Sequence, residues 1–262
     1  MKTILCVKQV PESYTVRLDP VTNTLQRDKA PSILNPFDLF AAEEAIRLKE
    51  RYGGSICAFT MGIPAASKVL KEAMAMGADD GILLSDRQFA GADTLATAYT
   101  LAHGIQKRGD FDLVICGRMA TDGDTAQVPP MLAEFLGIPA LTDVCNIISI
   151  KDGLIQCRRM SDDSYGIWEM KLPALITVTK EINVPRLPSI AGLRYAEEHP
   201  VTTWSLSALH HIDRERIGLL GSATHVKRTF IPHQEISTRM IDGSPEQQAA
   251  ELAEELTKLS II

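Results

Sequence analysis

The chain has 262 residues, 45% of them hydrophobic and 23% charged, which is the balance of a globular protein with one large domain, or a domain plus an appendage. Its 27 basic and 33 acidic residues give a formal net charge of −6, which argues against general binding of polyanions such as nucleic acid. No apolar run approaches the ~20 residues that cross a bilayer. The start, Met1 to Val7, resembles a first strand more than a signal peptide, so the expected location is the cytoplasm with no membrane insertion.

Residues 1–140 alternate strand-like and helix-like segments. Thr3 to Val10 reads as a strand. Pro36 to Glu50 carries Phe37, Phe40, Ala41, Ala45, Ile46 and Leu48 at mostly helical spacing. Ser55 to Thr60 is a short buried strand. Pro64 to Met76 is a helix with proline in its first turn and Gly77 just past its end. Gly81 to Ser85 is strand-like, Asp93 to Lys107 helical, Asp112 to Cys116 strand-like, and Met131 to Leu136 helical before a Gly137 stop. Such alternation predicts an α/β fold, a mostly parallel sheet with crossover helices that binds ligands beyond the carboxyl ends of its strands.

From residue 144 the rhythm changes. Val144–Lys151, Leu154–Met160, Gly166–Leu172 and Ala174–Thr179 are strand-like with no helix between them, and Lys151-Asp152-Gly153 suits a hairpin turn. An exposed loop is expected around Pro185, Pro188 and Pro200. The tail holds little apolar surface until a terminal helix at Pro245 to Leu259, where Leu252, Leu256 and Leu259 form one stripe. The expected division is a nucleotide-binding domain at 1–195 and a C-terminal arm and helix at 196–262 that lies on its own domain or on a partner subunit.

The five cysteines (Cys6, Cys57, Cys116, Cys145, Cys157) include no Cys-x-x-Cys pair, so metal or disulfide roles are not expected. The six histidines lack metal-ligand spacing, and His210-His211 read as a solvated pair. Chemistry concentrates instead at four segments that end successive strands: Cys6-Val7-Lys8-Gln9, Met61-Gly62-Ile63-Pro64, Ala90 to Thr97, and the polar turn Gly117 to Val128. Two of them open helices with Asp and Thr, residues that cap N-termini. Free backbone N–H groups at the positive end of a helix dipole suit a phosphate, and two such starts suit a pyrophosphate. For each segment alone, an ordinary loop or a plain cap is the alternative. Asp122 and Asp124 are compatible with an anion if they cap local N–H groups. Pro129-Pro130 delays regular helix bonding until after Pro130 and leaves donors around 123–128 free.

These residues resemble the electron transfer flavoprotein beta-subunit family over nearly the full chain. The matching pieces are Val7-Lys8-Gln9-Val10-Pro11, Asn35-Pro36-Phe37-Asp38 leading into Ala41 to Lys49, Ala73 to Asp79, the turn at 117–128, Leu172 to Val178, and Asn183-Val184-Pro185-Arg186. The resemblance implies a heterodimer with an alpha subunit carrying FAD, and an adenine nucleotide in this chain's own crevice. In many members that nucleotide is a structural AMP. In the electron-bifurcating branch it is a second FAD that takes electrons from NADH, with a ferredoxin or flavodoxin as candidate acceptor. Asp93 to Ala98 and Asp122 to Val128 resemble that branch, so FAD is favoured over AMP.

By position, the resemblance assigns nucleotide contacts to Cys6, Asn35, Pro36, Phe37, Asp38, Met61, Gly117, Thr121, Asp122, Gly123, Asp124, Thr125, Ala126, Gln127 and Val128, with Thr94 and Thr97 added for FAD. No general acid, nucleophile or metal is implied, and redox activity belongs to the assembled complex. The segment Pro185 to Leu193 corresponds to a recognition loop for an acyl-CoA dehydrogenase, with Arg186, Ile190 and Leu193 as docking residues. The chain departs from the pattern at Tyr195 to Glu198, where relatives carry lysines, and at Pro129, where glycine is common. An ATP-binding regulatory domain with the same crevice is the alternative of another class.

Overall fold

The computed structural model describes residues 1–12, 32–227 and 238–261. They divide into two compact units, Met1–Val226 and Lys227–Ile262. The first holds strands β1 (Lys2–Cys6), β2 (Gln9–Pro11), β3 (Ser32–Leu34), β4 (Ser55–Met61), β5 (Asp80–Leu84), β6 (Leu113–Gly117), β7 (Ala140–Lys151), β8 (Leu154–Met160), β9 (Tyr165–Lys171), β10 (Ala174–Val178) and β11 (Thr202–Trp204). Its helices are α1 (Pro36–Tyr52), α2 (Ser67–Met76), α3 (Thr94–Arg108), α4 (Val128–Leu136) and α5 (Ile190–Glu198).

Nine strands form one sheet in the order β11-β5-β4-β1-β6-β10-β7-β8-β9, and β2 pairs with β3 separately. The strands from β11 to β7 run parallel, and β7-β8-β9 is an antiparallel meander. The expected α/β class is present, and the change of rhythm expected from residue 144 begins at Ala140, where β7 starts. Successive strand residues alternate between two cores. Leu5, Leu113 and Ile115 face Ala41, Ala45, Leu70 and Met74 of α1 and α2. Ile4, Val114 and Cys116 face Ala98, Leu101, Ile105 and Leu132 of α3 and α4. That alternation explains the unbroken apolar runs, since a strand covered on both faces has no solvent side. Asp152 and Gly153, with φ of 53° and 75°, form the two-residue turn between β7 and β8.

Three sequence expectations change. The strand expected over Thr3 to Val10 breaks at Val7-Lys8: the Lys8 N–H donates to the Asp38 carboxylate and its carbonyl accepts from the Asn35 N–H, so the backbone leaves the sheet. The segment expected as a loop becomes helical at Ile190, with Ser189 capping the Gly192 N–H. The first unit also runs past the 195/196 boundary, because β11 extends the sheet beside β5 and Leu206, Leu209 and Ile217 enter the core. The second unit carries α6 (Pro245–Lys258), opened by reciprocal bonds between Ser244 and Gln247.

Candidate functional site

The order of the parallel strands sets the site. From β1 the chain steps outward to β4 and β5, then returns through α3 to β6 on the other side of β1. The connections leaving β1 and β6 therefore diverge, and a crevice opens at the carboxyl ends of these two strands. A cleft of about 500 Å³ lies there, within the ~300–1,000 Å³ range of small-molecule sites.

The polar turn after β6 forms one wall, and its shape is fixed from below. Asn35, which precedes α1, donates through Nδ2 to the Met119 carbonyl at 2.9 Å and accepts through Oδ1 from the Thr121 N–H at 3.2 Å. Asp38, in the first turn of α1, accepts from the Lys8 N–H at 2.8 Å. Gly117 approaches the same carboxylate and the Phe37 backbone so closely that a Cβ would collide with both. Burial pushes the Asp38 carboxyl up to about 7; hydrogen bonds from Asn35 and from the N–H groups of Lys8 and Gly117, with the Lys8 charge, reverse only part of that. Asp124 and Ala126 adopt left-handed backbone, with φ of 51° and 54°, and bend the turn toward α4.

The two helix starts at the cleft differ. At α3, the Asp93 carboxylate accepts from the Leu95 and Ala96 N–H groups at 3.0 Å each, so it is a true cap. At α4, Gln127 makes no side-chain cap and prolines occupy the first turn. The first regular helix bond runs from the Met131 N–H to the Gln127 carbonyl, as the paired prolines predict. The N–H groups of Thr125, Ala126, Gln127 and Val128 donate to no other described residue. Thr94 Oγ1 donates to Gln127 Oε1 at 2.9 Å and links the two starts.

Of the residues singled out in the sequence, the cleft wall brings together Cys6, Asn35, Asp38, Met61, Thr94, Thr97, Gly117, Asp122, Gly123, Thr125, Ala126, Gln127 and Val128. Pro36, Phe37, Thr121 and Asp124 lie outside the wall. Pro36 begins α1, the Phe37 backbone packs against Gly117, Thr121 donates to Asn35, and Asp124 closes the turn by donating to the Ala120 carbonyl. The expectation that Asp122 caps a local N–H is corrected: its carboxylate pairs with Lys8 Nζ at 2.6 Å, which neutralises it. Asp124 caps no N–H among the described residues either; its own backbone is the donor in this turn. Sequence reasoning missed the apolar floor made by Phe59, Leu101, Cys116 and Leu132. These positions carry only the signal of core residues.

A model of the electron transfer flavoprotein domain matches residues 22–209. The chain belongs to that family. Its similarity is to beta subunits of electron transfer flavoproteins. The chain is 43% identical to the electron transfer flavoprotein subunit beta of Clostridium acetobutylicum over 256 residues, 98% of each chain. It is 44% identical to CarD, a subunit of the caffeyl-CoA reductase–Etf complex of Acetobacterium woodii, over 95% of each chain. Protein FixA of Bradyrhizobium diazoefficiens is 40% identical over 96% of this chain and 90% of its own length.

In this electron transfer flavoprotein chain the segment before α5 is held by Arg186. Its guanidinium pairs with Glu43 at 2.8 Å and Glu50 at 2.6 Å, both on α1. Asn183 donates to Glu44 and to the Phe40 carbonyl. Arg186 is thus engaged within the chain, whereas Leu187, Ile190 and Leu193 are exposed, Ile190 by 85%. Among the described residues no helix is long and apolar enough to cross a membrane, and no three His, Cys, Asp or Glu side chains cluster as metal ligands.

Proposed function

We propose that this cleft binds FAD and that the protein is the beta subunit of a bifurcating electron transfer flavoprotein. It would serve electron passage between NADH, the FAD of an alpha subunit and an acyl-CoA dehydrogenase, in the cytoplasm. The observation that carries this proposal is the start of α4. Four consecutive N–H groups there donate to no described residue, on a turn whose shape is fixed by Asn35, Asp38 and Gly117.

The donor set fits a diphosphate. The N–H groups of Thr125 to Val128 would hold one phosphate, and across the cleft on α3 the Thr97 hydroxyl, with that of Thr94 once it releases Gln127, would reach the second. The apolar floor at Phe59, Leu101 and Leu132 excludes water beneath the ligand, and Lys8 offsets the Asp122 carboxylate on the cleft wall. Bound FAD supplies the redox chemistry, exchanging electrons in pairs or singly; the protein holds and tunes it. Exposed Ile190 and Leu193 provide a docking surface for the dehydrogenase, and Arg186 sets the course of that segment. A partner that acts on a CoA thioester is consistent with the name of the CarD complex. The unit at 227–262, with Leu252 exposed on α6 and Leu259 exposed just past its end, is assigned to the alpha-subunit contact.

The test is the nucleotide released when the purified heterodimer is denatured. Two FAD per heterodimer are expected. One FAD and one AMP would replace the proposal with a non-bifurcating subunit, and ATP on a lone chain would replace it with a regulatory domain. Separately, Ile190→Asp should weaken coupling to the dehydrogenase several-fold with flavin content unchanged; undiminished electron transfer would remove the docking assignment.

A further inference from the structure

Cys6 and Cys116 are 110 positions apart in sequence, and the fold places them side by side. They are direct partners in the parallel register of β1 and β6. Both belong with the α3/α4 core, so both side chains leave the same face of the sheet. Adjacent strands lie about 4.8 Å apart, inside the ~4.4–6.8 Å Cα separation that a disulfide spans. Both residues line the cleft at the point where the strand order reverses. Both are free thiols, Cys6 half-buried and Cys116 buried.

We infer that Cys6 and Cys116 form a reversible thiol–disulfide site in the floor of the cleft, oxidised by hydrogen peroxide. Cys6 reacts first because it is the more accessible. Its sulfur, having given its proton to solvent, attacks a peroxide oxygen and becomes a sulfenic acid as hydroxide leaves. The Cys116 sulfur then attacks the Cys6 sulfur; the S–O bond breaks, and the hydroxyl departs with the Cys116 proton as water. Two thiols and one hydrogen peroxide thus give one disulfide and two waters, and an added dithiol reverses the step.

The roles are unequal for a physical reason. The neighbouring Cys6, burial and the nearby Asp38 carboxyl all push the Cys116 thiol upward and favour its protonated form, so it waits for an oxidised neighbour. Cys57 and Cys157 are internal controls. Burial pushes each thiol up to about 12, and Cys57 lies opposite Ile4, two residues short of Cys6. The disulfide would tie together the carboxyl ends of β1 and β6, from which the two walls of the cleft depart.

The experiment exposes the heterodimer to excess hydrogen peroxide, both as purified and after removal of its nucleotide, then alkylates free thiols and maps peptides by mass. Expected is a peptide pair joined through Cys6 and Cys116, lighter by two hydrogens and separated by dithiothreitol, with Cys57 and Cys157 still alkylated. In Cys116→Ser, Cys6 should stop at the sulfenic acid and react with dimedone; in Cys6→Ser, Cys116 should remain reduced. Failure of the link in both preparations, or equal oxidation of all five cysteines, would overturn the site. The outcome is separable from the nucleotide assignment. AMP in the cleft would end the FAD proposal and leave the link expected, whereas a missing link would leave FAD untouched.

Discussion

The starts of α3 and α4 face the same cleft, yet they are built on opposite plans. At α3 the helix satisfies itself: Asp93 takes the Leu95 and Ala96 N–H groups and also accepts from the backbone and hydroxyl of Thr224. At α4 no described residue fills the donors of Thr125 to Val128, and the turn is shaped from outside by Asn35, Asp38 and Lys8. A capped N-terminus contributes stability and offers mainly side-chain hydroxyls to a ligand. An uncapped one, pre-shaped by distant residues, keeps its backbone donors for an anion. Under the proposed function the α4 start would be the binding element, and α3 the support against which it is set.

The strongest way to break this contrast is at Gly117. Gly117→Ala places a methyl group against the Asp38 carboxylate and the Phe37 backbone, which should cost about 1–3 kcal/mol of stability and abolish nucleotide retention. Calorimetry and the nucleotide content of the purified protein check both effects. Retained nucleotide would mean that the turn is shaped otherwise. Asn35→Ala removes two hydrogen bonds to the turn and leaves α1 itself intact. A loss of about 1–3 kcal/mol in binding, or ~10–100-fold in nucleotide Kd, is expected by titration.

Asp38 sharpens the picture through pH. Its folded carboxyl keeps its proton up to about 7, against 3.8 for the ordinary group. Between these values the native state binds more protons than the unfolded one, so this residue's contribution to stability declines as pH rises through that window. Asp38→Asn should flatten the decline in urea midpoints measured across the same range; an unchanged slope would place the titration elsewhere.

Asp93 gives the smallest and opposite effect. Burial raises its carboxyl, but bonds from the Ala96, Thr224 and Leu95 groups outweigh that and hold it below the ordinary value. Its contribution is therefore present above the unfolded value, near 3.8, and vanishes as pH falls through the lower folded one. Asp93→Ala should cost roughly 0.5–2 kcal/mol at neutral pH, nothing in strong acid, and little in nucleotide affinity. A large loss of nucleotide would erase the distinction between the two helix starts.

The local elements were legible wherever one short segment carried the signal. Pro36 at the start of α1, Gly77 after α2 and Asp152-Gly153 in the hairpin each act through their own backbone. So did the turn at 117–128, including the delay that Pro129 and Pro130 impose on α4. Where a contact joined distant residues the local pattern misled. Lys8 leaves the strand because Asp38 takes its N–H, Asp122 pairs with Lys8 instead of capping, and Thr202 to Trp204 join the sheet because the β5 edge is open to them.

The sequence by itself determined the α/β class, the placing of helix starts after strands, and the family. These follow from periodicity, proline and glycine geometry, and motif order, all of which act over a few residues. Only the tertiary structure decided which helix start keeps its donors, that Arg186 turns inward to Glu43 and Glu50, and that Cys6 meets Cys116. Cysteine spacing along the chain gave no sign of that pair. Strand order brings residues 110 apart into register through the summed packing of many side chains, and no local pattern encodes it.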